Sequence, residues 1–339
     1  MNLRLGIVAI LLSFHAFAAD PIFAINGLRV GQQADSQGLT GVTVLRFDQG
    51  ATAAVDVRGA APGTRETDLL KPENLVDKVH AIVLSGGSAF GLDAMSGVAA
   101  QLESEGVGFD VGIAKVPIVT GAVLFDLAIG DAKARPDFAM GQAATKLAQR
   151  SVFTQGNAGA GMGATVGKIR GMEHATKAGI GRAVVSLDNG VVIAAVVAVN
   201  AWGDVIARNG ALLAASRDNR NGFINGTDLL LSGFNAQGFA GRNTTIGAII
   251  TNATLTKVEA LKVAQMAHDG YARAIRPVHS MYDGDAIFAA ATAEVAAMDI
   301  NTLGVIAAEV MEQAIRNAIT HARTVAGFPA ANQIGKPSS

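Results

Sequence analysis

The amino-acid sequence predicts an α+β protein in which helices cover β-sheets. Several apolar, β-branched segments end in tight turns, and two long segments have the spacing of amphipathic helices. Only 16% of the 339 residues are charged and 40 are glycine, a composition typical of buried sheets joined by tight turns. Half of the residues are apolar, which is enough for the core of one large domain or of two tightly merged ones.

The first 18 residues have the organisation of a secretory signal peptide. Arg4 precedes a short apolar run, and Ala16-Phe17-Ala18 supplies the small-x-small pattern at which such peptides are cut. We therefore predict a periplasmic or secreted protein and exclude residues 1–18 from the fold. The sequence has no basic patch that would indicate nucleic-acid binding, and no second apolar run is long enough to span a membrane. The absence of cysteine excludes disulfides and thiol chemistry.

The first predicted strands lie at residues 40–46 and 51–58. Both segments are rich in β-branched residues, and the Asp-Gln-Gly triplet at 48–50 predicts a hairpin between them. Residues 58–70 follow as a polar loop, structural rather than functional, that an ion pair of Arg65 with Asp68 can hold.

A strand at residues 80–84 leads through Ser-Gly-Gly-Ser at 85–88 into a helix that runs to about residue 105. A serine at such a turn is typical of a nucleophile elbow. The required Gly-x-Ser-x-Gly pattern fails here, because Phe90 stands where the second glycine is needed. Backbone amides at the start of the helix can still hold a carbonyl oxygen or a carboxylate.

The densest glycine run lies at residues 156–168, after a predicted helix at about 140–150. A Walker A loop requires glycine at position 162 and serine or threonine at 169, where Met162 and Ile169 stand. A dinucleotide-binding fingerprint fails as well, because no clear strand precedes the run. The glycines instead predict backbones packed closely around a pocket, with Lys168 at its rim. A solvated lysine is the alternative.

Residues 183–187 and 191–200, joined by Asp-Asn-Gly, predict the clearest hairpin of the chain, and its second arm is apolar enough to be buried on both faces. The arm ends at Asn200, whose amide can donate to an oxyanion or merely cap a turn. Residues 207–240 are turn-prone and predict a surface linker, of the kind that tolerates a chain cut.

The functional hypothesis depends on the junction at residues 241–253, where a polar turn becomes a strand that begins at Thr244. A threonine hydroxyl is a poor nucleophile without an adjacent base. A cut between Asn243 and Thr244 makes the new α-amine that base. A tight turn can strain the Asn243–Thr244 peptide bond while the threonine hydroxyl attacks the preceding carbonyl. An ordinary turn before a strand is the alternative.

Two helices are predicted towards the C-terminus. Residues 256–259, Thr-Lys-Val-Glu, form a capping box that opens a helix ending before Pro277. Residues 302–326 carry the apolar stripe of a second helix, which Gly327 stops.

Asp283 and Asp285 precede a strand predicted at residues 286–292. They can face one way if Gly284 bends the chain, and paired carboxylates suit the orientation of a base. We expect Asp283 to orient Thr244 and Asp285 to hold Asp283. Metal binding is the other interpretation, but no His-x-x-x-His pattern or further carboxylate cluster completes a site. We therefore expect no metal and no other cofactor.

Six ordered motifs resemble the L-aminopeptidase D-amidase/esterase family, which includes the β-aminopeptidases and the 6-aminohexanoate-oligomer hydrolases. The motifs span residues 65–70, 85–92, 116–119, 159–164, 199–204 and 243–245, and the resemblance covers about residues 22–330. It implies a four-layer αββα sandwich of the N-terminal-nucleophile type. It also implies a precursor that cuts itself into a large subunit (19–243) and a small subunit (244–339), and a tetramer of such pairs.

The resemblance also implies roles for individual residues. Thr244 is the N-terminal nucleophile, Asn200 the oxyanion donor, Lys168 an active-site lysine, and Asp283 and Asp285 the pair that orients the Thr244 amine. Serine-nucleophile members carry Ser-x-Glu at the last place, so this chain is more similar to the nylon-oligomer branch.

Three further residues, Ser88, Phe125 and Gly161, are predicted to bind substrate. Family members are expected to carry a tyrosine near position 125, and phenylalanine cannot donate its hydrogen bond.

The predicted function is an exported, self-cleaving aminopeptidase or amidase that hydrolyses amide or ester bonds of short peptides or amino-acid amides. The competing hypotheses are an acyltransferase similar to ornithine acetyltransferase and a processed, non-enzymatic binding protein.

Overall fold

The computed structural model describes residues 20–220, 222–236 and 243–335. The predicted signal peptide and the Gly241-Arg242 turn before the predicted cut lie outside the described residues. None of the helices in the described part is long and apolar enough to cross a membrane.

Within these ranges, one large mixed sheet of nine strands dominates the fold. The strands are β1 (Leu28–Asp35), β2 (Thr40–Val57), β3 (Gly63–Arg65), β4 (Lys78–Ser85), β5 (Val119–Val123), β6 (Ile180–Ser186), β7 (Val192–Asn200), β8 (Thr244–Ala253) and β9 (Ala286–Val295). Their order is β6-β7-β8-β9-β2-β4-β5-β3, with β1 paired to β2. The pairs β8–β9 and β4–β5 are parallel, and the others are antiparallel.

The described residues also form five α-helices: α1 (Ala94–Ser104), α2 (Phe138–Lys146), α3 (Gly226–Leu231), α4 (Lys257–Ala274) and α5 (Ile300–Thr320). Short strands pair outside the large sheet. They are Asp204–Ile206 with Leu212–Ala214 and Ile275–Arg276, Phe109–Asp110 with Lys115–Val116, Thr165–Val166 with Thr176–Lys177, and Ser216–Arg217 with Phe223–Ile224.

The predicted hairpin at residues 40–58 is wrong, because β2 is one continuous strand. The Asp-Gln-Gly triplet forms an irregularity between Arg46 and Ala51 where the register with β4 shifts, and Gly50 adopts a φ of 70° there. Such a bulge bends a strand without reversing it. The N-terminal half of β2 consequently pairs with β1 and β4, and its C-terminal half pairs with β9.

The bent sheet packs its two halves face to face and carries helices on both outer faces. Alternate residues of β7 show this, since Val192, Ala194 and Val196 join the core between the halves while Ile193 and Ala195 join the core under α4 and α5. On the other side, α1 packs against β4 and β5, and α2 packs against β1 and β2. The predicted four-layer αββα arrangement is therefore confirmed.

The β6–β7 hairpin, the buried second arm and the capping box of α4 are as predicted. The segment predicted as a surface linker is more ordered than expected. Asn225 caps α3, and the buried carboxylate of Asp204 accepts hydrogen bonds from the backbone nitrogens of Ser216 and Gly226. Residues 221 and 237–240 of this segment lie outside the described ranges.

Two smaller expectations also fail. Helix α5 ends at Thr320, six residues before the predicted end at residue 326. Arg65 donates to Ser96 Oγ, and Asp68 pairs with Lys71 at 2.6 Å rather than with Arg65.

Candidate active site

Thr244 lines a cleft of about 200 Å³. The cleft is lined by Ala61, Pro62, Gly63, Ser88, Ala89, Val123, Phe125 and Thr244. Three residues predicted from distant parts of the sequence, Ser88, Phe125 and Thr244, therefore come together here. The lining side chains are small or apolar apart from the two hydroxyl groups.

Thr244 is the first residue of β8 and is almost completely buried. Its hydroxyl donates a hydrogen bond to the carbonyl oxygen of Asn243, the carbonyl of the bond predicted to be cut. The same oxygen accepts the backbone N–H of Gly284 at 3.0 Å. The carbonyl that the hydroxyl would attack thus already has a second hydrogen-bond donor, which favours negative charge on its oxygen.

Asn200 ends β7 and lies directly opposite Thr244 in the antiparallel pairing of β7 with β8. Its side-chain oxygen accepts from Lys168 Nζ at 2.7 Å and from the Thr165 nitrogen at 3.1 Å. Its side-chain nitrogen donates to the carbonyl oxygen of Phe125 at 2.7 Å. These contacts fix the orientation of the amide, and one of its two N–H groups is not used by them.

Lys168 is buried, so the alternative of a solvated lysine is wrong. Its ammonium donates to the backbone and side-chain oxygens of Asn200 at 3.0 and 2.7 Å. Burial lowers the pKa of Lys168 to about 7, against the opposing effect of the negative charges of Asp283 and Asp126. A group with this pKa exchanges its proton near neutral pH.

Asp283 is buried at the turn before β9. Its carboxylate accepts from the Trp202 nitrogen at 3.2 Å, from the Ser280 nitrogen at 3.2 Å and from Ser280 Oγ at 2.5 Å. Burial, followed by the charge of Asp285, raises the pKa of Asp283 to about 6.

Asp285 has a different set of partners. One carboxylate oxygen accepts the backbone N–H of Thr245 at 2.7 Å, and the other lies 2.9 Å from His279 Nδ1. The expectation that Asp285 holds Asp283 is therefore not what the contacts show. Ser280 and Trp202 hold Asp283, while Asp285 holds the residue after Thr244.

Ser88 and Gly161, both predicted to bind substrate, are placed differently. Ser88 lines the cleft with a left-handed φ of 53°, and its backbone nitrogen donates to the Leu124 carbonyl at 2.9 Å. Gly161 is buried outside the cleft lining, and a Cβ there would lie 2.2 Å from the Ile180 nitrogen. Its geometry fits the close backbone packing expected of the glycine run rather than substrate contact.

Asp126 was missed by the sequence analysis. Its buried carboxylate accepts from Thr40 Oγ1 and from the Gly87 nitrogen, each at 2.7 Å. Burial raises the pKa of Asp126 to about 6. Because Asp126 follows Phe125 and binds the residue before Ser88, it ties two walls of the cleft together. An aspartate directly after an apolar segment was the available signal.

His279 was missed as well. It contacts Asp285 from the loop before β9, in a left-handed conformation with a φ of 56°. No group of three or more His, Asp or Glu side chains in the described part of the chain is arranged to hold a metal ion.

Comparison with known proteins gives the family context. A family model described as "Peptidase family S58" matches residues 20–332. An uncharacterized aminopeptidase of Mycobacterium leprae is 38% identical over 322 residues, covering 85% of this chain and 84% of that protein. A 6-aminohexanoate-oligomer endohydrolase of Kocuria sp. is 34% identical over 313 residues, covering 87% of this chain and 85% of that protein.

Among solved structures, the L-aminopeptidase D-Ala-esterase/amidase of Ochrobactrum anthropi is similar, with a TM-score of 0.68. The match has 18% sequence identity and covers 90% of this chain and 88% of that chain. That structure is described as a prototype for the serine aminopeptidases and as a variant of the Ntn hydrolase fold. At this identity the likeness concerns the fold.

Proposed function

The chain belongs to peptidase family S58, and on that basis we propose that it is a self-cleaving amide hydrolase whose nucleophile is Thr244. The supporting observation is the position of the Thr244 hydroxyl. It lies in the cleft, at the start of a strand, against the carbonyl of Asn243.

Self-cleavage begins when Thr244 Oγ1 attacks the carbonyl carbon of Asn243. The tetrahedral oxyanion that forms would be stabilised by the Gly284 N–H, which already donates to this oxygen. Collapse breaks the C–N bond, and the proton from the hydroxyl passes to the Thr244 nitrogen. Water then hydrolyses the resulting ester, which frees the Asn243 carboxylate and the Thr244 hydroxyl and leaves residues 19–243 and 244–339 as separate chains.

In the processed protein the free α-amine of Thr244 takes the hydroxyl proton during attack on a substrate carbonyl. The amine must be neutral for this step, and a free α-amine has a pKa of about 7.7–8.0. The Asp283 carboxylate orients the amine by hydrogen bonding. The buried Lys168 partly offsets the acidic charge nearby, and the unused N–H of Asn200 supplies the donor for the substrate oxyanion.

The cleft favours amides or esters with small, uncharged side chains. Its volume of about 200 Å³ is below the 300–1,000 Å³ typical of drug-sized ligands. Its lining carries apolar side chains and hydroxyl groups but no charged group among the described residues. The Mycobacterium leprae and Kocuria relatives are named for aminopeptidase and oligomer endohydrolase activity. We propose short peptides and amino-acid amides as substrates.

Export and assembly are part of the same proposal. Removal of residues 1–18 during export to a periplasm or beyond is supported by Arg4, the apolar run that follows it and the Ala16-x-Ala18 pattern. Assembly into a tetramer of processed pairs follows from the resemblance described above, and the native mass of the purified protein tests it.

Intact-mass analysis of the purified protein tests the central claim. We expect two chains that correspond to residues 19–243 and 244–339, and a single uncut chain for Thr244→Ala. Thr245→Val is the matched control, because the Thr245 hydroxyl is buried with no hydrogen-bond partner among the described residues. A Thr244→Ala protein that still splits at this bond ends the proposal.

Activity assays then separate the competing functions. Hydrolysis of an aminoacyl p-nitroanilide by the processed protein supports the hydrolase. Acyl transfer from N-acetylornithine to glutamate without hydrolysis would support a transferase, and absence of both reactions would support a binding protein.

A further inference from the structure

A chain of hydrogen bonds leads from Asp285 through two histidines to the backbone of β2. His279 Nδ1 lies 2.9 Å from Asp285 Oδ2, and His279 Nε2 lies 3.2 Å from His268 Nδ1. His268 Nε2 lies 3.1 Å from the carbonyl oxygen of Asp56. Both rings also contact Tyr271, which stacks on His279 with ring centres 5.9 Å apart.

The partners of these rings determine where their protons lie. A carbonyl oxygen only accepts, so His268 Nε2 must carry a hydrogen. The His268 side chain is completely buried in helix α4, and burial lowers its pKa to about 4, so the ring is neutral and its Nδ1 is an acceptor. His279 Nε2 must therefore donate to His268.

The other nitrogen of His279 faces a carboxylate. If Asp285 is ionised, His279 Nδ1 also carries a hydrogen and the ring is an imidazolium. The His279 backbone N–H donates to the same carboxylate oxygen at 3.1 Å, which favours the ionised acid. The His279 side chain is 19% exposed, whereas Asp285 is buried. The positive charge thus lies on the more exposed of the two histidines, beside the buried acid.

The remaining oxygen of Asp285 connects this pair to the nucleophile. It accepts the Thr245 N–H at 2.7 Å, and the Tyr271 hydroxyl donates to the Thr245 carbonyl at 3.3 Å. Thr245 is thereby held on both sides of its backbone, and Thr244 is the next residue along the chain. The charged and titratable groups facing the histidine pair are Asp285, Tyr271, Asp56 and Arg58.

We propose that His279 is a positioning residue for Thr244, acting as an imidazolium that His268 holds in place and that fixes the Asp285 carboxylate. This role rests on the proposed function of Thr244 as the nucleophile. The histidine does not line the cleft, so its effect should fall on turnover and not on substrate binding. The positive charge of His279 also lessens the repulsion between Asp285 and Asp283.

Two substitutions at His279 separate a hydrogen-bonding role from a merely structural one. Asparagine and glycine both tolerate the left-handed backbone conformation. His279→Asn retains an N–H donor near the position of Nδ1, whereas His279→Gly retains none. We expect His279→Gly to lower kcat by about tenfold or more with KM changed less than about twofold, and His279→Asn to recover most of the loss. Met281→Ala, at an exposed side chain in the same loop, is the control.

A second measurement does not depend on the role of Thr244. Nitrogen-15 NMR of histidine-labelled Thr244→Ala protein should show both ring nitrogens of His279 protonated at neutral pH, with the signal assigned by its absence in the Thr244→Ala, His279→Asn double variant. An unprotonated nitrogen on His279 would overturn the imidazolium. Equal kcat losses in the asparagine and glycine variants, or no loss in either, would overturn the positioning role. An uncut wild-type chain would instead show that the proposed function of Thr244 is wrong, whatever the role of His279.

Discussion

Asn200 and Thr244 face each other directly across the antiparallel pairing of β7 with β8. Residues opposite each other in such a pair have Cβ atoms about 4.5–5.5 Å apart. The separation of the proposed oxyanion donor from the proposed nucleophile is therefore set by the register of two central strands. Because a change of register would move every buried side chain of β7 to the other face, this distance is strongly constrained.

Asn200→Ala is expected to lower the turnover of the processed protein by about 10²-fold, the scale reported for removal of one oxyanion donor. Steady-state kinetics on an aminoacyl p-nitroanilide measure it. Asn252→Ala is the matched control, because Asn252 is likewise a buried asparagine, and its side chain bonds Val192 and Gly190 at the far end of the β7–β8 pair. Wild-type turnover in Asn200→Ala would remove this residue from the mechanism.

Much of the architecture could be predicted because local patterns and tertiary packing agree. The β6–β7 hairpin has a turn triplet between apolar arms, and the capping box of α4 satisfies its own backbone groups. The hairpin predicted from the Asp-Gln-Gly triplet in β2 was wrong, because the same residue types occur in turns and in bulges. Which of the two forms depends on the strand that lies alongside. The end of α5 was overestimated because small apolar residues continue the helical stripe beyond Thr320.

Site residues could be predicted where a sequence motif contains them, but not where only contacts in the folded protein bring them to the site. Thr244 came from a turn-to-strand pattern, whereas Ser88 and Phe125 came from the family resemblance, and the fold places all three in one cleft. Asp126 acts through Thr40 and Gly87, which are distant in sequence. His279 lies only six residues before Asp285, but no motif links the two, so only the folded loop shows their contact. Asp283 is held by Ser280, three residues away, and by the distant Trp202, and only the folded structure shows these contacts.

Phe125→Tyr is expected to raise turnover by about tenfold. The substitution places a hydroxyl donor on the cleft wall shared with Thr244, where family members are expected to carry a tyrosine. The gain should stay below the 10²–10³-fold effect of a donor that is fully aligned with the oxyanion. Phe90→Tyr, at an exposed ring outside the cleft lining, controls for the added hydroxyl. Unchanged or lower turnover would show that no step of this protein needs that group.

Asp283→Asn should alter how stability depends on pH. The pKa of Asp283 is raised to about 6 in the folded protein, above the value of about 3.9 for an unfolded aspartate. The native state therefore binds the proton more tightly, and this residue makes the free energy of unfolding fall as pH rises from about 4 to about 6. The loss is up to about 3 kcal/mol. Denaturant unfolding of the uncut Thr244→Ala protein, with and without Asp283→Asn, measures it. Parallel pH profiles for the two proteins would contradict the shift.

Asp283→Asn should also lower the turnover of the processed protein by more than about tenfold, on the scale expected when a base loses its positioning group. Substrate binding should change little, because Asp283 is absent from the cleft lining. Asp204→Asn is the matched control, since Asp204 is a buried aspartate whose carboxylate also bonds backbone nitrogens, those of Ser216 and Gly226, outside that lining. A general effect of burying an amide would slow both variants equally. A loss of kcat in Asp283→Asn alone, with KM unchanged, would place this carboxylate beside the Thr244 amine, whereas wild-type turnover would leave it a structural partner of Ser280 and Trp202.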